Sequence, residues 1–352
     1  MEIKTIINEK PKPKPDQNEL GFGIYFTDHM FEMDYDEGEG WHDARIIPYG
    51  PLSLEPSALV FHYGQETFEG LKAYKNLEGH TVLFRPKENF IRMNNSNQRI
   101  CMPTLDVDFV ISALKQLVAT DESWIPTADG TSLYVRPFMI ATEPSIGVKV
   151  SKSYKFVIIL SPVGAYYKDG LKPTKILVEE NYIRAANGGT GEAKYGGNYA
   201  GSLLPYQKAV AKGFSQVMFL DGANKKFVEE VGTSNAFFIV DGVLYTSPLS
   251  GTILPGVTRD SVIKIARDEG WEVVEKALAI DDIILYAKQG KLDEVFASGT
   301  AAVVSPIGQL AYRDEVIDIG DTIGPKTQLL YDKLTGIQLG KIEDKFNWVE
   351  RL

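Results

Sequence analysis

At 352 residues, 44 % of them hydrophobic, the chain is long enough to bury a large core and to divide into two domains. Its 47 Asp and Glu outnumber its 37 Lys and Arg, and the formal net charge of -10 disfavours nucleic acid and acidic membrane as partners. A single cysteine, Cys101, excludes an intrachain disulfide, and four scattered histidines without an HExxH spacing give no metal site.

The opening MEIKTIINEKPKPKP carries neither a long apolar run nor a small-residue cleavage signature. No later window reaches the ~18 continuous apolar residues of a spanning helix, so a soluble, cytoplasmic protein is expected. Residues 8–19 are polar with three alternating prolines, and residues 1–20 are expected to form a flexible, extended arm. Helical patterning begins at Pro86. In TLDVDFVISALKQLVATDESWIP, Phe109, Ala113 and Leu117 recur at a spacing of four, as do Val110, Leu114 and Val118, which predicts a helix over 107–120 closed before Pro126. SLYVRPFMIAT and SYKFVIILSPVGAYY are rich in aromatic and β-branched residues and read as strands, with Pro137 pointing to an edge or irregular place in its sheet.

GAYYKDGLKPTK (164–175) breaks that apolar run with two glycines and a proline. The expected layout is a smaller domain over 21–164, a linker over 165–175 and a larger domain over 176–352. Beyond it, FSQVMFLD, AFFIVDG and VLYTS read as strands, and 258–269 as a helix with Val262, Ile265 and Ala266 on its apolar stripe. DEVFASGTAAVVSPI reads as strand, turn and second apolar segment. The mixture is neither a regular strand–helix alternation nor all-β, so an α/β and α+β fold is expected. Candidate catalytic residues fall on both sides of the linker, which predicts a site at the domain interface.

Among those candidates Lys194 stands out, because GGTGEAKYGGNY (188–199) sets it among five glycines, where the backbone carries little bulk. A lysine there is either a solvated loop residue or an amine that reaches a carbonyl carbon, as in the Schiff bases of pyridoxal phosphate. A pyridine nitrogen requires an acidic partner, and Glu229 and Glu230 both precede the apolar run VGTSNAFFIV. A phosphate requires donors, which PGVTR (255–259) at a predicted helix start and SGTAA (298–302) in a turn both offer. Arg92 and Arg99 compete for the role of its charged partner. Tyr134 and Arg136, two apart on one strand, face the same side and suit a carboxylate, as they also suit an outward strand face.

FTDHM (26–30), HYGQETFEGLKAY (62–74), LFRPKENFIRM (83–93), LYVRPF (133–138), GTGEAKYGGNYAGS (189–202), EEVGTSNAFF (229–238) and LPGVTRDS (254–261) resemble, in family order, the branched-chain amino acid aminotransferases. These are pyridoxal-phosphate enzymes of fold type IV. The resemblance runs from about Gly21 to the C-terminus and implies two domains with the active site at their interface.

It implies that Lys194 forms the imine with pyridoxal 5'-phosphate and moves the proton. Tyr199 then bonds the cofactor's phenolic oxygen, Glu230 rather than Glu229 pairs with the pyridine nitrogen, and Arg92 rather than Arg99 holds the phosphate with Thr300, Val257 and Thr258. Thr233 is shared between cofactor and substrate. The implied substrate pocket is Phe22, Tyr63, Phe68, Lys72, Tyr134, Arg136, Tyr166, Thr233, Ala301 and Ala302, with Arg136 receiving the distal carboxylate of 2-oxoglutarate or glutamate. Some mammalian relatives carry a CxxC pair after the phosphate threonine, whereas Ala302 and Ser305 stand here, so that thiol switch cannot operate.

The activity so implied is reversible transfer of the amino group of leucine, isoleucine or valine to 2-oxoglutarate. Small-molecule amino acids and 2-oxo acids are its partners, in a homodimer or higher homo-oligomer. D-Amino acid aminotransferases and aminodeoxychorismate lyases share the fold and are the enzyme alternatives. A catalytically silent metabolite-binding protein is the alternative of another class.

Overall fold

The computed structural model describes residues 1–164 and 171–352. Two compact units emerge: Met1–Tyr166 with Ala193–Gly196 and Ile337–Leu352, and Tyr167–Glu192 with Gly197–Gly336. The chain is therefore not cut once. The segment carrying Lys194 and the last sixteen residues join the first unit, not the stretches that flank them in sequence.

The first unit is built on β1 (Lys4–Thr5), β2 (His29–Asp36), β3 (Gly40–Pro48), β4 (Glu66–Phe68), β5 (Leu71–Lys75), β6 (Thr81–Phe84), β7 (Ser132–Ala141) and β8 (Ser153–Val163), with α1 (Leu59–Tyr63), α2 (Pro86–Arg99) and α3 (Val107–Thr120). Its sheet runs β1-β3-β2-β8-β7-β5-β6 and ends on a strand from the C-terminus, while β4 pairs with β7. The helix predicted over 107–120 is α3. Val110, Ala113, Leu114, Leu117 and Val118 are buried with Phe31, Phe90 and Phe156, and Asp106 caps the helix by accepting from the Phe109 N–H. α2 starts on Pro86, whose missing N–H costs nothing in the first turn.

Pro137 is not at an edge, because β7 pairs along its length with β8 and, on its other side, with β4 and β5. The irregularity lies in the partner. Pro137 faces the break between β4 and β5, where its carbonyl accepts the Glu69 N–H at 2.7 Å and no N–H of its own is required. The arm expected to be flexible is hydrogen-bonded to the first unit: β1 pairs with β3, Asn8 N–H donates to His29 Nε2 and Lys12 N–H donates to Asp28 Oδ1.

The second unit contains β9 (Thr174–Glu179), β10 (Gln216–Leu220), β11 (Val228–Val231), β12 (Ser234–Val240), β13 (Val243–Thr246), β14 (Val273–Glu275), β15 (Leu292–Gly299), β16 (Val303–Tyr312) and β17 (Glu315–Asp318). Its helices are α4 (Gly196–Ala200), α5 (Leu203–Ala211), α6 (Val257–Asp268), α7 (Ile280–Lys288) and α8 (Pro325–Gln338), with the ends of α4 and α8 crossing into the first unit. The strand order is β11-β10-β9-β16-β15-β12-β13-β14, a further pairing of β11 with β12 closes the first six of these into a ring, and an apolar core includes Met218, Phe238 and Leu310. β18 (Val349–Arg351) returns to the first unit and pairs antiparallel with β6. Among the described residues no helix is long and apolar enough to cross a membrane, and no group of three or more His, Cys, Asp or Glu is placed to hold a metal.

Candidate active site

Lys194 is fixed through its backbone. Its N–H donates to Ser96 Oγ at 2.8 Å and its carbonyl accepts the Phe68 N–H at 3.1 Å, which hangs the Gly-rich turn between α2 and β4. The side chain is half-buried, with Nζ 4.8 Å from the centre of the Phe68 ring. Arg136 Cζ lies 4.8 Å from the same Phe68 centre and 5.3 Å from that of Tyr134. One aromatic ring thus contacts both the amine and the guanidinium.

Alternation along the strands collects the rest of this face. Lys72 is the register partner of Tyr134, so the two side chains project together. Arg136 donates through Nη2 to the Tyr134 hydroxyl at 3.1 Å, and Phe22 meets Tyr134 edge-on at 4.9 Å. Gly70 is required there because any Cβ would overlap the Tyr134 hydroxyl. Burial lowers the Lys72 ammonium from 10.5 to about 8. Phe22, Phe68, Lys72, Tyr134 and Arg136 are therefore brought together with Lys194. The Tyr63 hydroxyl donates instead to the Ile146 carbonyl, and Tyr166 lies outside the described residues.

Arg92 is buried and Arg99 exposed. Arg92 is held bidentately by Glu69, Nε to Oε1 at 2.7 Å and Nη2 to Oε2 at 2.8 Å, and Asn89 Nδ2 donates to the same carboxylate at 2.9 Å. Burial pushes the Glu69 carboxyl up, but the Arg92 charge and hydrogen bonds, with Lys194 and Asn89, bring it net below its ordinary value. Glu69 had no assigned role in the sequence; its only signal was a carboxylate inside the apolar stretch TFEGLKAY.

In the second unit Glu229 and Glu230 are both buried, and their partners differ. Glu229 accepts from the Thr252 hydroxyl at 2.5 Å and is held above the ordinary carboxylate range by burial. Glu230 accepts the Leu254 N–H at 2.8 Å and forms an ion pair with Arg184 Nε at 3.2 Å. Arg184 also donates through Nη2 to the carbonyls of Gly191 and Thr252, so it links Glu230 to the turn that leads into Lys194. Asn235 donates to the Leu254 carbonyl at 3.0 Å and to Glu230 at 3.4 Å, and its register partner on β15 is Ser298. Sequence reasoning gives Arg184 and Asn235 no role: Arg184 meets Glu230 and Thr252 far along the chain, and Asn235, although close to Glu230 in sequence, is fixed there by the Leu254 carbonyl.

Around Asn235 the structure gathers the acidic residue, the start of α6 and the β15–β16 turn. Gly256 is the N-cap of α6 without a side-chain cap, and Val257 and Thr258 open its first turn. Thr300, Ala301 and Ala302 form the half-buried turn that follows β15. Tyr199 is half-buried on α4, and Thr233 is exposed in the turn between β11 and β12.

The same arrangement of elements recurs in solved structures. A branched-chain amino acid aminotransferase from Escherichia coli superposes with a TM-score of 0.76 at 28 % identity, covering 90 % of this chain and 98 % of that one. The branched-chain aminotransferase of the archaeon Thermoproteus uzoniensis, solved with norvaline, gives 0.77 at 25 % identity, covering 92 % and 99 %. In sequence, the chain is 54 % identical over 348 residues to branched-chain-amino-acid aminotransferase 2 of Bacillus subtilis, covering 98 % of this chain and 96 % of that protein. Residues 66–310 match the family model described as amino-transferase class IV. The match takes in Phe68, Lys72, Tyr134, Arg136, Lys194, Glu230 and the start of α6, and the chain belongs to the amino-transferase class IV family.

Proposed function

We propose that this protein is a branched-chain amino acid aminotransferase that uses pyridoxal 5'-phosphate to exchange the amino group of leucine, isoleucine or valine with 2-oxoglutarate. The observation that carries the reading is the full-length 54 % identity to a protein of that name, together with an amine set against an aromatic face that ends in a guanidinium.

The donor set fits the cofactor. Lys194 supplies the amine that holds an aldehyde, and Glu230 supplies a buried carboxylate already oriented by Leu254 and Arg184. Arg92, Thr300 and the first turn of α6 at Val257 and Thr258 supply the charge and donors for a phosphate, and Tyr199 a hydroxyl for the phenolic oxygen. When bound, pyridoxal phosphate supplies an electron sink for the carbanion formed at the substrate Cα.

The rest belongs to the protein. Lys194 takes the proton from the substrate Cα and returns it two bonds away, with its amine held beside the Phe68 ring. Glu230 keeps a negative charge where a ring nitrogen is to hold its proton. Phe22, Phe68 and Tyr134 wall off the aliphatic side chain, and Arg136 receives the distal carboxylate of the second substrate. Lys72, Thr233, Ala301 and Ala302 complete the pocket, and Ala302 and Ser305 exclude a thiol switch. A homodimer in the cytoplasm is part of the same reading.

Purified protein supplied with pyridoxal phosphate, L-leucine and 2-oxoglutarate is expected to yield glutamate and the branched 2-oxo acid, and Lys194→Ala to yield neither. Equal or greater turnover of D-alanine, or release of pyruvate from aminodeoxychorismate, would assign the protein to another activity of the fold. Light scattering tests the oligomer.

A further inference from the structure

Glu66 belongs to the same face of β4 as Phe68 and is in no part of the machinery above. Its Oε1 accepts the backbone N–H of Gly196, two residues beyond Lys194, and a Cβ at 196 would overlap that oxygen. The carboxylate is therefore built into the turn that presents the amine. The register partner of Glu66 on β7, Ile140, shares a strand face with Arg136, whose charge draws the Glu66 carboxyl down. Arg136 meets two aromatic rings and a neutral hydroxyl, and its buried Nε has no hydrogen bond among the described residues.

Resting on the transaminase reading, we propose that Glu66 sets the charge selectivity at the side-chain end of the substrate site, offsetting Arg136 when an apolar side chain is bound and opposing a second carboxylate when a dicarboxylic substrate is bound. A site that alternates between leucine and glutamate faces a conflict. A guanidinium left alone beside an aliphatic side chain is costly, and a nearby carboxylate reduces that cost. The same carboxylate repels the distal carboxylate of glutamate. Glu66 cannot swing aside without releasing the Gly196 N–H. Burial keeps its carboxyl above the ordinary value against the opposing pull of Gly196 and Arg136.

The test uses equilibrium titration of the pyridoxal-phosphate-loaded enzyme with two unreactive acids, glutarate and 4-methylvalerate, alongside KM for L-glutamate and L-leucine. Glu66→Gln retains an acceptor oxygen for Gly196 and loses the charge; Glu66→Ala loses both. In both variants the preference is expected to shift roughly tenfold toward the diacid, equivalent to ~1.4 kcal/mol of repulsion removed. An unmoved ratio in Glu66→Gln, or a shift in Glu66→Ala alone, overturns the assignment by charge. Thermal unfolding of both variants establishes that they fold. A wild-type protein that transaminates neither amino acid fails the transaminase reading itself, an outcome distinct from an active enzyme whose ratio does not move.

Discussion

Burying Glu69 completely is tolerable only because Arg92 meets it with two parallel hydrogen bonds. Replacing it by Gln leaves the guanidinium, itself almost fully buried, without a counter-charge, and a loss of about 3–5 kcal/mol is expected in urea unfolding at neutral pH. The sign with pH follows from the direction of the shift. The native carboxyl lies below its ordinary 4.5, so its contribution is complete above that value and is lost as pH falls through the depressed native value. The stability gap between wild type and Glu69→Gln should therefore be widest at neutral pH and close under acid; a gap that widened below pH ~4.5 would contradict the pairing. The glycines around Lys194 mark it as a candidate, but a solvated loop lysine shares that local signal, and it is the resemblance that singles it out. Glu69 and Arg184 have no such signal, because a carboxylate or a guanidinium acquires its role only when chain segments far apart in sequence are brought to it.

At the scale of elements, α3 was readable to its ends since its apolar stripe and its cap are both written within one stretch. The Asp106 side chain accepts from the Phe109 N–H at 3.1 Å and satisfies one of the unpaired donors of the first turn. Asp106→Ala should cost about 1 kcal/mol, seen as a lowered urea midpoint with unchanged slope, and Asp106→Asn or Ser should restore most of it. Pro137 shows the opposite case. Its missing donor argues for an edge when the strand is considered alone, yet the break between β4 and β5 satisfies the same requirement inside the sheet. That break also places Glu69 toward Arg92 and leaves Gly70 under the Tyr134 hydroxyl, so one irregularity serves both the core pair and the substrate face. A proline records that an N–H is absent but not which neighbour makes the absence harmless.

For the whole molecule, the order of the chain is a poor guide to the order of the fold. The final residues follow the entire second unit in sequence, yet β18 pairs with β6, Trp348 is buried against Phe84 at 5.7 Å, and its carbonyl accepts the Arg85 N–H at 2.8 Å. Arg85 also lies over the Trp348 ring, 4.9 Å from its centre, so the C-terminus braces the junction at which β6 passes into α2. Nothing in KFNWVERL announces a partner more than 250 residues upstream, because a three-residue strand has too little pattern to name its register. Trp348→Ala removes a buried aromatic body and should destabilise by about 3–5 kcal/mol. Hydrogen exchange locates the damage: protection should fall first in β6 and the opening turns of α2, while β12 and β15 keep theirs. Loss beginning in the second unit would mean that the C-terminal strand stabilises the fold by some route other than its pairing with β6. Since α2 carries both Arg92 and Ser96, the variant should also weaken retention of pyridoxal phosphate, and loss of cofactor should track exposure of α2 rather than precede it.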